Sequence, residues 1–547
     1  MREMTRGDFL KGGLAAGAVA LVAGVGLAGC SSDASKGEGG SSGAEGWDHE
    51  TDIVIVGAGI GGLTAALKAQ QDGAKTIVVE VNTWTGGGSA YCGGVLQCSG
   101  TSIEAYDANT GYMNDPELSH AYAQTFYDGL PDWFSDMGAV LNNPGKEGGY
   151  FCQLGDDPAA TLYGCRPFFD SLEEIYVEEG GTILFETQAE HIMTEGEYDK
   201  TVTGLYCKDA EGNVVRIKAR AVILACGGFQ NNTELCTRYL GQYGSYAGLM
   251  GTPWNTGSGM AMAQEVGASL QGKFNEFAAC MASAWPAKNP QTDPVEFKTR
   301  HFDDNGPDSI YFLADSRVDS PPARAIIVNN EGKRFVDEAG GDNVHRIPLE
   351  TIKQPFATGF YIFDSAAWDS FMNKEDDLWR CVSRFNKEQF DEVILSDQIG
   401  AVVYQGDTIE ELCDAMNASG VYNHRISKPG LLETIAEYNE AAETKDENLV
   451  PHRGYGDGSL FDGMQFEPLS EGPFYCWPAR PYIYQTYGGV AVNTGCQVLD
   501  ASRNPIPGLY AAAPTAGGFM GYNYTGSMAC AASTGYMAAT TAVAQLA

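Results

Sequence analysis

The clearest hydrophobic pattern along the chain is an unbroken apolar run, Ile53-Val-Ile-Val56, which breaks into Gly57-Ala-Gly59-Ile60-Gly61-Gly62 and is answered by a second run, Thr76-Ile-Val-Val-Glu80. Short apolar runs bounded by glycine read as strands buried on both faces, and the residues between them, Leu63 to Gln71, carry a helical run. The pattern predicts a β-α-β unit. Thr182 to Leu224 is strand-rich and ends in Ala221-Val-Ile-Leu224, while Pro116 to Gly138 holds helices and loops. Pro253 to Gln465 mixes strands, Ala325–Asn329 and Gly359–Phe363, with a helical stretch from Leu431 to Glu443. The fold class this predicts is α/β: a Rossmann-like domain, discontinuous in sequence over residues 47–252 and 466–547, with an α+β segment inserted at 253–465.

The glycines of the first unit carry chemistry. Gly57 permits the tight turn, Gly59 lets backbone N–H groups approach a pyrophosphate, Ile60 and Gly61 open the helix whose positive end faces it, and Gly62 allows close packing. Glu80 ends the second strand, where a carboxylate accepts ribose hydroxyl hydrogen bonds and repels a 2′-phosphate. Strand, glycine motif, helix and acid together point to a bound dinucleotide.

Further glycine-rich segments decide which dinucleotide. They are Thr85-Gly-Gly-Gly88-Ser89-Ala-Tyr-Cys-Gly93-Gly94, Ala225-Cys-Gly227-Gly228-Phe, Thr256-Gly257-Ser-Gly259, Thr486-Tyr-Gly488-Gly489 and Ile506-Pro-Gly508 through Gly517-Gly518. The ordered set resembles the FAD enzymes of the fumarate reductase and succinate dehydrogenase flavoprotein family, closest in its site to the 3-ketosteroid dehydrogenase members, from about Thr51 to the C-terminus. The resemblance implies that FAD is the cofactor, that the Gly88 to Gly94 segment lies along the flavin, and that Ala225, Gly227, Gly228, Gly257, Gly488 and Gly489 help to hold it. It also implies that the last helix, entered through Gly526, Ser527 and Met528, points its positive end at the ring. The family usually has Gly-Glu where this chain has Ala513-Pro514, so the contact at Pro514 departs from the pattern. The 253–465 segment is expected to be the substrate cap. No second G-x-G-x-x-G occurs, so electrons are expected from an external donor, a membrane cytochrome or a quinol-linked protein.

The same resemblance bears on the substrate. Fumarate reductases hold a dicarboxylate with two histidines and two arginines, and the matched positions here are Trp285, Asp342, Gln485 and Tyr524. Without two guanidinium forks, bidentate recognition of a dicarboxylate is lost. Tyr524 in Gly521-Tyr-Asn-Tyr-Thr-Gly526 resembles the ketosteroid dehydrogenase tyrosine that polarises a carbonyl, with the partner backbone N–H at Met528. Trp285, Tyr484 and Tyr487 are read as aromatic walls and Gln485 as a substrate contact. Asp342, His345 and Arg346 are the rival proton donors. These readings give an FAD-dependent oxidoreductase acting on a carbon–carbon bond conjugated to a carbonyl in a hydrophobic or aromatic small molecule. The alternatives are a reductase of an acrylate-type acid serving as electron acceptor, and a flavin electron-transfer subunit with no substrate of its own.

The ends and the composition add an address. Arg2 and Arg6 precede an uncharged segment, Gly12 to Gly26, and then Leu27-Ala-Gly-Cys30. Residues 1–30 read as a signal peptide whose export motif resembles a twin-arginine signal with Gly7 for the second arginine, general secretion being the alternative. Leu-Ala-Gly-Cys30 resembles a lipobox, so lipidation at Cys30 is expected, ordinary cleavage near small residues being the alternative. Residues 31–46 read as a flexible Ser/Gly tether. The expected localisation is the extracytoplasmic face of the cell membrane, held by a lipid anchor. With 71 acidic against 34 basic residues the net charge is −37, which argues against nucleic acid as a partner. The 14 cysteines form no C-x-x-C, so no metal site is expected, although an iron–sulfur site built from distant cysteines stays open.

Overall fold

The computed structural model describes residues 46–91, 95–141, 149–151, 165–197, 200–284, 324–338, 343–372, 403–454 and 465–546. The export, tether and lipidation readings, with Cys30, lie outside the described residues, as do Gly93, Gly94, Trp285 and Asp342. Residues 47–547 form one compact unit.

Its organising layer is a six-stranded sheet in the order Gln497–Leu499, Pro505–Ala511, Ala221–Leu224, Ile53–Val56, Thr76–Val79, Thr182–Leu184. Five strands run parallel, and Gln497–Leu499 pairs antiparallel at one edge. All four residues of both Ile53–Val56 and Ala221–Leu224 are buried, which is why these segments read as continuous apolar runs. Helix Ile60–Gln71 crosses between the first two strands. Two further helices, Pro116–Tyr127 and Leu130–Asp136, fill the region read as helical and loop. The α/β reading therefore holds, and the β-α-β unit stands where the hydrophobic pattern placed it.

A second sheet of four strands, His49–Glu50, Val214–Lys218, Thr201–Lys208 and Gln188–Glu195, accounts for the remaining strand-rich sequence. The third sheet is built on the long strand Phe474–Thr486, which pairs with Gly248–Leu249, Phe277–Ser283, Gly359–Phe363 and Tyr404–Gly406, while Ile326–Val328 adds beyond Gly359–Phe363. This strand follows the inserted segment in sequence yet shares a sheet with it. Two cores result. One surrounds the parallel sheet, and the other packs Ile326, Phe360 and Ile362 against Leu412, Leu431 and Tyr438 of the helices Ile409–Ala418 and Lys428–Thr444.

A buried histidine ties the third sheet to this second core. His424 accepts from the Tyr404 hydroxyl at Nδ1, 2.9 Å, because its Nε2 must donate to the Ala284 carbonyl oxygen at 3.1 Å. Burial, with the nearby Arg480 charge, lowers its pKa from the ordinary 6.5 to about 3. The folded ring stays neutral, so below pH 6.5 only the unfolded chain takes up the proton and stability falls as pH drops toward 3. Urea unfolding at pH 4.5 should show roughly 2–3 kcal/mol less stability than at pH 7 from this group. His424→Gln, which can make both hydrogen bonds without titrating, should flatten that part of the decline; an unchanged slope would remove His424 as its source.

Candidate active site

The carboxyl ends of Ile53–Val56, Thr76–Val79 and Ala221–Leu224 open onto one cavity of about 370 Å³, the usual position for a ligand on an open parallel sheet. Gly57 makes the turn there with φ +102°, and a Cβ on it would lie 2.5 Å from the Ala225 carbonyl oxygen. Gly62 sits beneath, where a Cβ would come within 1.8 Å of the Gly57 oxygen. The turn therefore needs both glycines, and it presents Gly57, Gly59, Ile60 and Gly61 to the cavity at the N-terminus of helix Ile60–Gln71.

Glu80 is 5% exposed and faces the same cavity. One carboxylate oxygen accepts from Ala58 N–H at 2.7 Å and the other from Asn82 N–H at 2.8 Å. Burial raises its pKa, and these backbone donors oppose the rise. Gly88 and Ser89 line the cavity beside the turn, with Ser89 Oγ 3.9 Å from where a Cβ of Gly59 would lie, and Ala225 and Gly227 line it too. Cys226 lies between them with its thiol pushed up to about 12 by burial, so it stays protonated and unreactive.

Several wall residues were not singled out by sequence. Gln230 donates Nε2 to the Tyr484 carbonyl oxygen at 3.0 Å, across the whole inserted segment. Asn255 stands against the glycine segments, its Oδ1 2.2 Å from where a Cβ of Gly227 would lie. Thr252 and Trp254 flank it, and Trp254 donates Nε1 to Asn82 Oδ1 at 2.7 Å. The available signal was adjacency: Gln230 follows Gly227-Gly228, and Asn255 precedes Thr256-Gly257.

The cavity is walled as well by Tyr484, Gln485, Tyr524, Ser527 and Met528. Tyr524 meets the Tyr484 ring edge to face, with centroids 5.5 Å apart. Its neighbours are pinned. Tyr522 N–H donates to Asn114 Oδ1 at 2.8 Å, Asn523 Nδ2 donates to the Asn109 carbonyl oxygen at 2.8 Å, and Thr525 Oγ1 pairs with the Tyr122 hydroxyl at 2.6 Å. Immediately after it the helix Ser527–Leu546 begins, and its first residues line the cavity together with Pro514.

Other residues singled out by sequence stand off the wall. Tyr487 is a buried ring, 4% exposed, and is not part of the lining. Gly228, Gly257, Gly488, Gly489 and Gly526 lie in the frame around the cavity, each where a Cβ would meet other protein atoms. Arg346 is exposed, with its guanidinium over the Tyr522 ring at 5.5 Å. His345 belongs to helix Asn343–Thr351, its side chain lying outside the described residues.

These residues fit a flavin dinucleotide. Two helix N-termini and a glycine cradle suit the diphosphate and an anionic ring, and three buried wall atoms, Gln230 Oε1, Thr252 Oγ1 and Ser527 Oγ, have no partner within the described protein. Residues 52–529 match the FAD binding domain family. The chain belongs to that family. It is similar to a probable fumarate reductase of Shewanella frigidimarina, 25% identical over 503 residues that cover 89% of this chain and 74% of the relative. It is also similar to a digoxin reductase of Eggerthella lenta, 27% identical over 578 residues, covering 94% and 92%. The fold is shared with 3-ketosteroid Δ1-dehydrogenase from Sterolibacterium denitrificans, with a TM-score of 0.66 and 18% identity over 91% of this chain and all of the other. The protein is thus an FAD-dependent oxidoreductase, as the glycine set implied.

Glu80 gives the direct check on the cofactor end. Glu80→Gln leaves one acceptor oxygen for two backbone donors and the ribose, so FAD should dissociate roughly 10–100-fold more readily. Flavin retained after dialysis measures this, and unchanged retention would move the ribose contact elsewhere.

Proposed function

We propose that the enzyme reduces, or reversibly desaturates, a carbon–carbon bond conjugated to a carbonyl in a neutral, hydrophobic or aromatic small molecule. One observation carries this reading: among the described residues lining the cavity there is no Arg, Lys or His, while Tyr524 and the start of the last helix stand together on its wall. A dicarboxylate buried there would find no countercharge among these described residues. A neutral carbonyl needs only donors, and the Tyr524 hydroxyl with the Met528 backbone N–H supply them.

FAD supplies hydride exchange at flavin N5. The chain's own residues do the rest. Tyr524 donates to the carbonyl oxygen and stabilises the negative charge that develops on it, and the N-terminal dipole of Ser527–Leu546 acts in the same sense. Tyr484, edge-on to Tyr524, fixes the phenol and offers a face to a flat ligand. The proton at the α carbon is assigned to the 342–346 segment, with Asp342, His345 and Arg346 as its candidates. A digoxin reductase among the similar proteins is in keeping with a neutral polycyclic substrate, whereas a probable fumarate reductase among them is named for a small acid, so the lining of the cavity and not the relatives carries the choice.

Tyr524→Phe should lower turnover of an enone by roughly 10²–10³-fold, the usual cost of one oxyanion donor, with the flavin spectrum nearly unchanged. Reoxidation of anaerobically reduced protein is the assay. Fumarate and acrylate should reoxidise the flavin poorly; rapid reoxidation by either, with Tyr524→Phe as active as the parent, would favour the acid reading.

We also propose that the enzyme is exported and lipid-anchored at Cys30, receiving electrons from a membrane cytochrome or quinol-linked protein. Leu27-Ala-Gly-Cys30 after an uncharged segment supports this. Detergent but not salt should release it from membranes, and Cys30→Ala should abolish the lipid attachment; a soluble mature protein retaining Met1 would overturn it.

A further inference from the structure

Tyr484 and Gln485 are consecutive residues of the strand Phe474–Thr486, yet both line the cavity. In an unbroken strand they would face opposite sides. The register explains the exception. Ala278 stands opposite Gln485 and Ala279 opposite Ile483, so Tyr484 is the extra residue of a β-bulge. Such a bulge re-aims side chains, and here it turns an aromatic ring and an amide onto the same wall. The Gln230 amide donating to the Tyr484 carbonyl oxygen at 3.0 Å holds the bulged residue in place.

Gln485 is 4% exposed, and its Nε2 is spent on Met520 Sδ at 3.5 Å. That contact fixes the amide, since reversing it would set oxygen lone pairs against the sulfur. The Oε1 is buried and has no donor within the described protein. The wall thus offers a phenolic donor at Tyr524, an aromatic ring at Tyr484 and an unfilled acceptor at Gln485. An amide oxygen also repels a carboxylate, and no cation on the described wall offsets that repulsion.

Building on the enone reading, we infer that Gln485 Oε1 accepts a hydrogen bond from the substrate. The substrate class is therefore a neutral α,β-unsaturated carbonyl compound that also carries a hydroxyl or N–H donor. A site built to pair a buried polar group with a ligand donor discriminates strongly against analogues lacking the donor, because the protein atom is then left unpaired.

The test uses the full-length, FAD-loaded protein, reduced anaerobically and reoxidised by 4-hydroxybenzalacetone, its 4-methoxy ether and unsubstituted benzalacetone. The hydroxyl-bearing enone should exceed both controls in kcat/KM by roughly 10²-fold or more, and Gln485→Met should bring the ratio to within roughly threefold while FAD content stays at that of the parent. Equal turnover of the three by the parent would overturn the inference without any variant, and so would a ratio that survives in Gln485→Met. Loss of FAD from Gln485→Met would overturn it too, reassigning the acceptor to the cofactor. If none of the three reoxidises the flavin, the enone reading itself fails, and this inference falls with it.

Discussion

Two helices from opposite ends of the chain touch backbone to backbone, and the active site depends on that contact. A Cβ on Gly535 would lie 2.1 Å from the Gly61 carbonyl oxygen, and one on Gly61 would lie 3.0 Å from that of Ala531. No side chain separates Ile60–Gln71 from Ser527–Leu546 at this crossing. Their N-termini consequently converge on one cavity, each contributing the positive end of a helix dipole. The parallel sheet supplies the platform, but the glycine crossing brings the first motif and the last into one site.

Around that crossing, the structure trades backbone regularity for placement. Tyr524 stands in a stretch with little regular structure, where Asn109, Asn114 and Tyr122 grip its neighbours and the Tyr484 ring packs against it. Gly526, with φ +107°, could carry no side chain there, since a Cβ would come within 1.7 Å of the Gln97 oxygen. The neighbouring Tyr484 stretch uses a bulge for the same purpose. Both devices fix a side chain's direction through its flanks, so the reacting end of the cavity can hold phenol and amide groups without a charged anchor.

Sequence made the first parallel strands, the glycine turn and Glu80 legible, because each has a local signature: a β-branched run, a glycine at fixed spacing, an acid at a strand end; the final helix came only with the family resemblance. Gln230, Thr252 and Asn255 escaped because they lie in irregular loops, and only pairing with the distant 484–486 segment or the glycine loops brings them to the wall. The strand Phe474–Thr486 reads as part of the returning nucleotide domain by position in the chain. Its partners in the third sheet are a matter of long-range pairing that periodicity does not encode. The bulge at Tyr484 escaped for the same reason, since a register shift leaves the residue pattern of its own strand unchanged.

Glu80 holds a further consequence. Its two oxygens already brace Ala58 and Asn82, so the acid facing the cavity is also a strut of the glycine turn. Swapping it for a smaller or cationic residue, the simplest route toward a phosphorylated ribose, would release two backbone donors into a buried wall. Cofactor preference at this position is therefore entrenched: any descendant that changed nucleotide would have to rebuild the turn at the same time.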